Sequence, residues 1–376
     1  MKAPPRPPIA PVVAALPASR PFIAPEELER TSGRTDLLRL GANESAFGPS
    51  PAALAAMRAA LERIAWYGDP ESVDLRAALA RSLGCGPEHI VCGGGIDDLL
   101  ALAVRVFTSP GDAAVTTLGS YPTFAYHVAG YGARLVTVPY AADGTLQLSE
   151  LARAAADSRA RLLYLANPDN PSGSFADAGA LAAFRAALPP ECVLLLDEAY
   201  AEFAPAGGIA PFDANDPGVV RTRTFSKAYG LAGARLGYAY GHAEAIGGFN
   251  KIRNQYAVNR VAQAGALAAF GDRAHVARVV SETAAGRAEY RALGERLGLA
   301  TLPSHANFVC FDLGSRERAE AMVEALLLRG VFVRKPGAPP LDGHIRVTVG
   351  TPDERARFAA AFSEALAAPG AKPAPH

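Results

Sequence analysis

Lys227 is the residue with the most reactive company. It lies in Thr224-Phe225-Ser226-Lys227-Ala228-Tyr229-Gly230-Leu231-Ala232-Gly233-Ala234-Arg235, with two hydroxyls just before it and a guanidinium eight positions after it. The run 219–223 ahead of it reads as a buried strand. A half-buried lysine loses its proton more readily than a solvated one, so it can attack an aldehyde as a neutral amine. The hydroxyls and Arg235 can hold a phosphate beside it. Taken alone, Ser-Lys also suits an ordinary helix-start loop.

An amine for an aldehyde and a clamp for a phosphate together suit pyridoxal phosphate. Asp197 closes the apolar run 192–196. A carboxylate there can sit against a pyridine nitrogen and keep it protonated, so that the cationic ring absorbs the electrons of a substrate carbanion. An N-cap or an ion-pair partner is the plainer use of Asp197. Glu198, one position on, must point to the other side of the strand. Tyr200 and Asn170 can both hydrogen-bond a phenolate oxygen on the ring, and Phe124 can stack on its face. Their plainer uses are core packing for the two aromatics and turn formation for the asparagine.

The glycines Gly93, Gly94 and Gly95 stand between a strand at 89–92 and a helix at 99–107. Free backbone N–H groups and a positive helix end meet there, a place for a phosphate. A dinucleotide site is not indicated, because Asp98 stands where the last glycine of G-x-G-x-x-G belongs.

These residues need elements that bring them together. Strand signals at 37–40, 89–92, 113–117, 134–138, 162–166 and 192–196 alternate with helical ones at 52–64, 72–83, 99–107, 149–156 and 178–187. Residues 121–124 open a further helix. Repeated strand–helix units imply an α/β fold with a mostly parallel sheet, whose ligands collect at the carboxyl ends of the strands. The Gly93 turn, Asn170, Asp197 and Lys227 should therefore converge. From 243 to about 297 the pattern is helical, and an α+β unit follows, with strands at 306–312, 331–334 and 344–349 and helices at 317–329 and 353–367. The expected division is an N-terminal arm over 1–30, a large cofactor domain over 31–275, a small domain over 276–368 with which the N-terminal segment packs, and a tail over 369–376.

The chain has 376 residues, more than one ordinary core can hold, and its 37 Lys+Arg balance its 37 Asp+Glu. That balance leaves no electrostatic footprint for nucleic acid or an anionic membrane and suits a small-molecule enzyme. Four cysteines without C-x-x-C spacing read as thiols of a reducing, cytoplasmic compartment. The seven histidines show no i, i+4 pair, so no metal site is expected, and no apolar run reaches the roughly 18 residues of a membrane span.

The motifs L-x-x-N-E-x-x-x-G-P-S-P, Y-G-D-P, G-G-G-x-D-D, P-T-F, N-P-D-N-P-S-G, D-E-A-Y-x-E-F, T-F-S-K-A-Y-G-L-A-G-x-R, A-N-F-V and I-R-V-T-V-G follow one another from residue 21 to 367. In this order the chain resembles the class I/II aminotransferases of fold type I, and among them the histidinol-phosphate aminotransferase family. The resemblance implies that Lys227 carries the cofactor covalently and then shuttles the proton at the substrate α-carbon. It pairs Asp197 with the ring nitrogen and Tyr200 and Asn170 with the ring oxygen, and stacks Phe124 where the family more usually has tyrosine. The phosphate would sit among Gly95, Ile96, Asp97, Thr224, Ser226 and Arg235, with Tyr67 supplied by a second subunit, which implies a homodimer. Arg346 would grip the substrate carboxylate, although a strand-edge surface arginine is the plainer reading. Arg334, with Lys335 beside it, would meet the distal group.

Three departures bear on the substrate side. Phe22 stands where the family has a tyrosine, Gln255-Tyr256-Ala257-Val258-Asn259 keeps the tyrosine of P-Y-N-V-N but loses one asparagine, and Asn43-Glu44-Ser45-Ala46 replaces N-E-N-P. The expected reaction is transfer of an amino group between an amine donor, histidinol phosphate or an aromatic amino acid, and a 2-oxo acid. The alternative on the same scaffold is decarboxylation of the threonine-phosphate decarboxylase type.

Overall fold

In the computed structural model, which describes residues 7–17 and 24–367, eleven strands form in chain order among those residues. They are β1 Leu38–Arg39, β2 Ile90–Gly93, β3 Ala113–Thr117, β4 Arg134–Val138, β5 Leu162–Ala166, β6 Val193–Asp197, β7 Val219–Thr224, β8 Gly237–Gly241, β9 Phe308–Asp312, β10 Val331–Phe332 and β11 His344–Thr348. Seven of them make the central sheet in the order β2-β8-β7-β6-β5-β3-β4, in which only β8 runs against the rest.

β8 is absent from the sequence-based pattern, and its composition explains why. Gly-Tyr-Ala-Tyr-Gly is bounded by two glycines that a strand pattern reads as breaks. Both are required by close approach: a Cβ on Gly237 would lie 2.8 Å from the Arg223 carbonyl oxygen, and one on Gly241 3.0 Å from that of Val219.

The sheet is buried on both faces, which accounts for the continuous apolar runs of β5 and β6. Tyr164, Ala166 and Leu195 face a core with Phe124, Val128 and the helix Ile96–Phe107, whereas Leu163, Leu165, Leu194 and Leu196 face the helices Leu148–Ser158 and Ala178–Ala187. Asp197 alternates onto the first of these faces. Glu198 turns to the other, where it accepts from Arg223 Nε at 2.9 Å and pairs with Arg221 and Tyr240.

Local chemistry sets the helix bounds. Ser50 Oγ accepts from the Ala53 N–H at 3.1 Å and Pro51 occupies the first turn, which fixes the start of the helix Pro51–Leu61; its end falls three residues before the expected one. The helix after the glycines is Ile96–Phe107, three residues longer at its start than expected, because Gly95 takes φ +94° and turns directly into it. The helical stretch beyond 243 splits into Ala243–Ile252, Arg260–Gly271 and Arg273–Leu297. Each is entered through a capping side chain, His242, Asn259 and Asp272.

The C-terminal unit pairs β9 with β11 antiparallel, and β10 with β1 in parallel. Leu38 and Leu40 thereby join the core of Tyr290, Phe311, Ile345 and Phe358. The first strand thus packs with the C-terminal unit. Residues 7–17 are not a bare arm: the helix Pro11–Ala14 packs on Pro122–Tyr131.

Candidate active site

Both units contribute walls to one cavity of about 660 Å³ at the carboxyl ends of β5, β6 and β7. Lys227 follows β7, Asp197 ends β6, and Asn170 follows β5. Ile96 and Asp97 open a helix after β2, while Arg346 and Arg334 come from the small unit, where their backbones bridge. All of them line the cavity, together with Asn43, Tyr200, Thr224, Ser226 and Arg235.

The loop carrying Lys227 is held close to the turn after Asn43. Gly230 has φ +70°, and a Cβ on it would stand 2.3 Å from the Gly48 carbonyl carbon, so the two backbones meet where only glycine fits. Lys227 Nζ donates to the Asn43 carbonyl oxygen at 3.0 Å and lies 5.7 Å from the Tyr200 ring centre. Burial, and then the charge of Arg346, bring the Lys227 amine down to about 8. The same burial pushes the Asp197 carboxyl up to about 6, against hydrogen bonds from Tyr164 Oη at 2.8 Å and the Ala199 N–H at 2.9 Å. The cavity thus holds an amine that deprotonates at about 8 and a buried carboxylate, both shifted by the same loss of water.

At one end, Thr224 Oγ1 donates to Ser226 Oγ at 2.9 Å and accepts from the Ser226 N–H at 3.0 Å. Arg235 folds back over the glycine turn, and a Cβ on Gly95 would meet its Nη2 at 2.4 Å. With the open N–H groups of the first turn of Ile96–Phe107, this end is a cradle for a phosphate. Asp197 at the other end, Lys227 between, and Tyr200 and Asn170 at the side complete a donor set that fits pyridoxal phosphate. Arg346 donates to Asn170 Oδ1 and, at 3.0 Å, to the Gly41 carbonyl oxygen, while its buried Nε has no protein partner among the described residues.

Asn43 sits at φ +55° with its amide committed inside the protein: Nδ2 donates to Tyr200 Oη at 2.9 Å and Oδ1 accepts from Thr348 Oγ1 at 3.1 Å. From the cavity wall its side chain therefore fixes the Tyr200 phenol.

Phe124 is displaced from its expected place. It is fully buried and stacks on Tyr164 at 4.9 Å with rings 16° apart, outside the cavity wall. The helix Pro122–Tyr131 starts one residue after Tyr121 and turns Phe124 onto the sheet. Tyr121 lines the cavity instead, with its hydroxyl donating to Asp97 Oδ1 at 2.8 Å. Tyr67 and Tyr256 are also absent from the cavity of their own chain. They stack on each other at 4.6 Å on the surface, 78% and 50% exposed. Phe22 and the tail beyond 367 lie outside the described residues.

Tyr164 was missed because it reads as one more apolar residue in a buried run. The signal was its alternation: two residues before Ala166, it shares a face with Asp197. Tyr121 was hidden by the Pro122 that follows it.

A crystal structure of histidinol-phosphate aminotransferase from Sinorhizobium meliloti in complex with pyridoxal-5'-phosphate is similar, with 45% sequence identity, a TM-score of 0.91 and coverage of 95% of this chain and 97% of that one. A Symbiobacterium thermophilum protein named histidinol-phosphate aminotransferase is 41% identical over 347 residues, 91% of this chain and 94% of its own. One from Cupriavidus pinatubonensis, named histidinol-phosphate aminotransferase 1, is 38% identical over 366 residues, 95% of this chain and 94% of its own. Residues 35–362 match the family model for aminotransferase class I and II. With the amine, carboxylate and guanidinium gathered in one cavity, these matches place the chain in the class I and II aminotransferase family.

Proposed function

We propose that this aminotransferase acts on histidinol phosphate and returns the amino group to 2-oxoglutarate, a step of histidine biosynthesis in the cytoplasm. The observation that carries the substrate choice is the cationic side of the cavity, where Arg334, Lys335 and Arg346 line the space opposite Lys227. A single site that takes both a phosphate-bearing amine and a dicarboxylic oxo acid needs cations both can share. Burial and the neighbouring Arg346 lower the Arg334 guanidinium, as expected where positive charges are brought together in a partly buried site.

When bound, pyridoxal phosphate supplies an electron sink that stabilises negative charge at the substrate α-carbon. Lys227 would take the α-proton and return it on the other side of the transfer. Asp197 would hold the proton on the ring nitrogen, Tyr200 and Asn170 would hydrogen-bond the ring oxygen, and Thr224, Ser226, Arg235 and the N–H groups of Ile96 and Asp97 would hold the phosphate. Arg346 would bind the carboxylate of the oxo acid, and Arg346 and Arg334 together the phosphate of the amine. The relatives reported above carry the aminotransferase name, so the decarboxylase alternative has no comparable support.

The test is a kinetic split. Arg334→Met should raise KM for histidinol phosphate about ten- to a hundredfold, the loss of one charge-assisted hydrogen bond, and leave kcat nearly unchanged. Phenylalanine as donor should be affected much less. Wild-type enzyme that prefers phenylalanine to histidinol phosphate would assign the cavity to aromatic amino acids instead.

A second copy of the chain completes the site in this proposal. Leu54 and Leu61 on the helix Pro51–Leu61, Leu267 on the helix Arg260–Gly271 that packs on it, and Ile64, Trp66 and Tyr67 just beyond the first are exposed, and the Tyr67 ring, which meets Tyr256, does not line the cavity of its own chain. Tyr67→Ala should weaken cofactor binding. At cofactor concentrations too low to load Tyr67→Ala, mixing it in equal amounts with Lys227→Ala should restore about a quarter of wild-type activity, because about half of randomly formed dimers are hybrids and each hybrid has one intact site of two. No recovery after subunit exchange would mean that each chain builds its site alone.

A further inference from the structure

Asp197 carries the chemistry of the cavity floor, yet a buried carboxylate ordinarily takes up a proton and would then leave the ring nitrogen without its counter-charge. Its surroundings differ from oxygen to oxygen. Oδ1 accepts from the Ala199 N–H at 2.9 Å, a bond supplied by the turn whatever the side chains are. Oδ2 accepts from Tyr164 Oη at 2.8 Å.

The sheet register makes that second bond possible. β5 and β6 pair Ala166 with Asp197 and Tyr164 with Leu195, so Tyr164 is the diagonal neighbour of Asp197 on the same face. An aromatic side chain is long enough to span that diagonal. Tyr164 cannot swing away: it is 1% exposed, Phe124 stacks on its ring at 4.9 Å, and its own carbonyl accepts from Thr116 Oγ1 at 3.2 Å. A phenylalanine would fill the same space, so the hydroxyl is present for the carboxylate.

We propose that Tyr164 is the positioning residue that keeps Asp197 ionised and aimed at the cofactor ring nitrogen. This rests on Asp197 being the partner of that nitrogen. Burial and Asp197 itself push the Tyr164 phenol well above its ordinary value, so it remains a donor at every working pH. The groups around the pair divide by sign. Asp97, from the helix after the glycines, disfavours the Asp197 anion, and Lys227, after β7, favours it. Tyr121 and Asp169 act on Tyr164 from their own loops. Without the hydroxyl, only the Ala199 N–H and Lys227 oppose burial and Asp97.

The test measures cofactor affinity in the stripped full-length protein, by equilibrium dialysis against pyridoxal phosphate from pH 5.5 to 8.5. In Tyr164→Phe, affinity at neutral pH should fall about tenfold or more, and the pH below which affinity is lost should move up by about one unit. Phe124→Leu, which loosens the packing behind the ring but keeps the hydroxyl, should lower Tm and leave that limb where it is. 3-Fluorotyrosine placed at 164, a stronger donor of the same shape, should move the limb down and supports the proposal independently if Tyr164→Phe fails to fold. A Tyr164→Phe protein with wild-type affinity and limb, or a fluorotyrosine protein with no shift, would overturn it. Wild-type protein that binds no pyridoxal phosphate at any pH would instead count against the cofactor assignment beneath it.

Discussion

Lys227→Ala should abolish transamination, with turnover falling by more than about 10⁴-fold, because one side chain serves as both covalent anchor and proton carrier. Two observables separate these duties. The variant should bind pyridoxal phosphate through the surviving phosphate cradle, but the bound cofactor should exchange freely on dialysis. Added glutamate should produce no change in the cofactor's visible spectrum. The wild-type amine carries a pH prediction of known sign. A lysine lowered to about 8 is protonated, and unable to attack, below that pH. The rate at which stripped protein captures the cofactor should therefore rise about tenfold per unit below pH 8 and level off above it. An ordinary surface lysine would still be rising at pH 9 to 10. Full turnover in Lys227→Ala would remove this residue from the mechanism.

Much of this site was legible because its residues sit at punctuation marks. Asp197 and Asn170 come at or after apolar runs and Lys227 comes after the strand β7, and in a parallel sheet the carboxyl ends of such strands lie side by side. What the chain does not disclose is direction. Phe124 and Tyr121 are three residues apart at one helix entry, and which ring meets the cavity depends on where the first helical turn closes, here at Pro122. Asn43 was legible as a site residue but not its use, since its partners Tyr200 and Thr348 lie 157 and 305 positions away. The strand β8 was illegible for a related reason. Its glycines answer to neighbours across the sheet, Arg223 and Val219, and not to anything local. Tyr67 and Tyr256 show the same limit at the surface, where they meet each other outside the cavity of their own chain.

Asp197→Asn should leave the shape of the cavity and remove its charge, and the two consequences have opposite signs. Transamination should fall by about 10³-fold or more, the scale at which losing one preorganised electrostatic partner in a dry site is felt. Cofactor bearing a methyl group on the ring nitrogen, and so permanently cationic, should recover part of that rate in Asp197→Asn and none in Lys227→Ala. Stability should move the other way in the stripped protein. The folded carboxyl is raised from 3.8 to about 6, so the folded chain holds the proton more tightly than the unfolded chain. The stability this gives is fully present below pH 3.8 and lost as pH rises through 6, which leaves a buried anion costing about 3 kcal/mol at neutrality. The asparagine lacks that cost, although its amide hydrogens must find partners. Stripped Asp197→Asn should therefore melt above stripped wild type at pH 7.5, by an amount worth about 1–3 kcal/mol, with the difference closing as the buffer is taken down to pH 5. Saturating pyridoxal phosphate should reverse the order, because only the carboxylate stabilises the protonated ring. A variant less stable than wild type in the stripped state at neutral pH would mean that Asp197 is satisfied by the protein alone and is not held in reserve for the ring nitrogen.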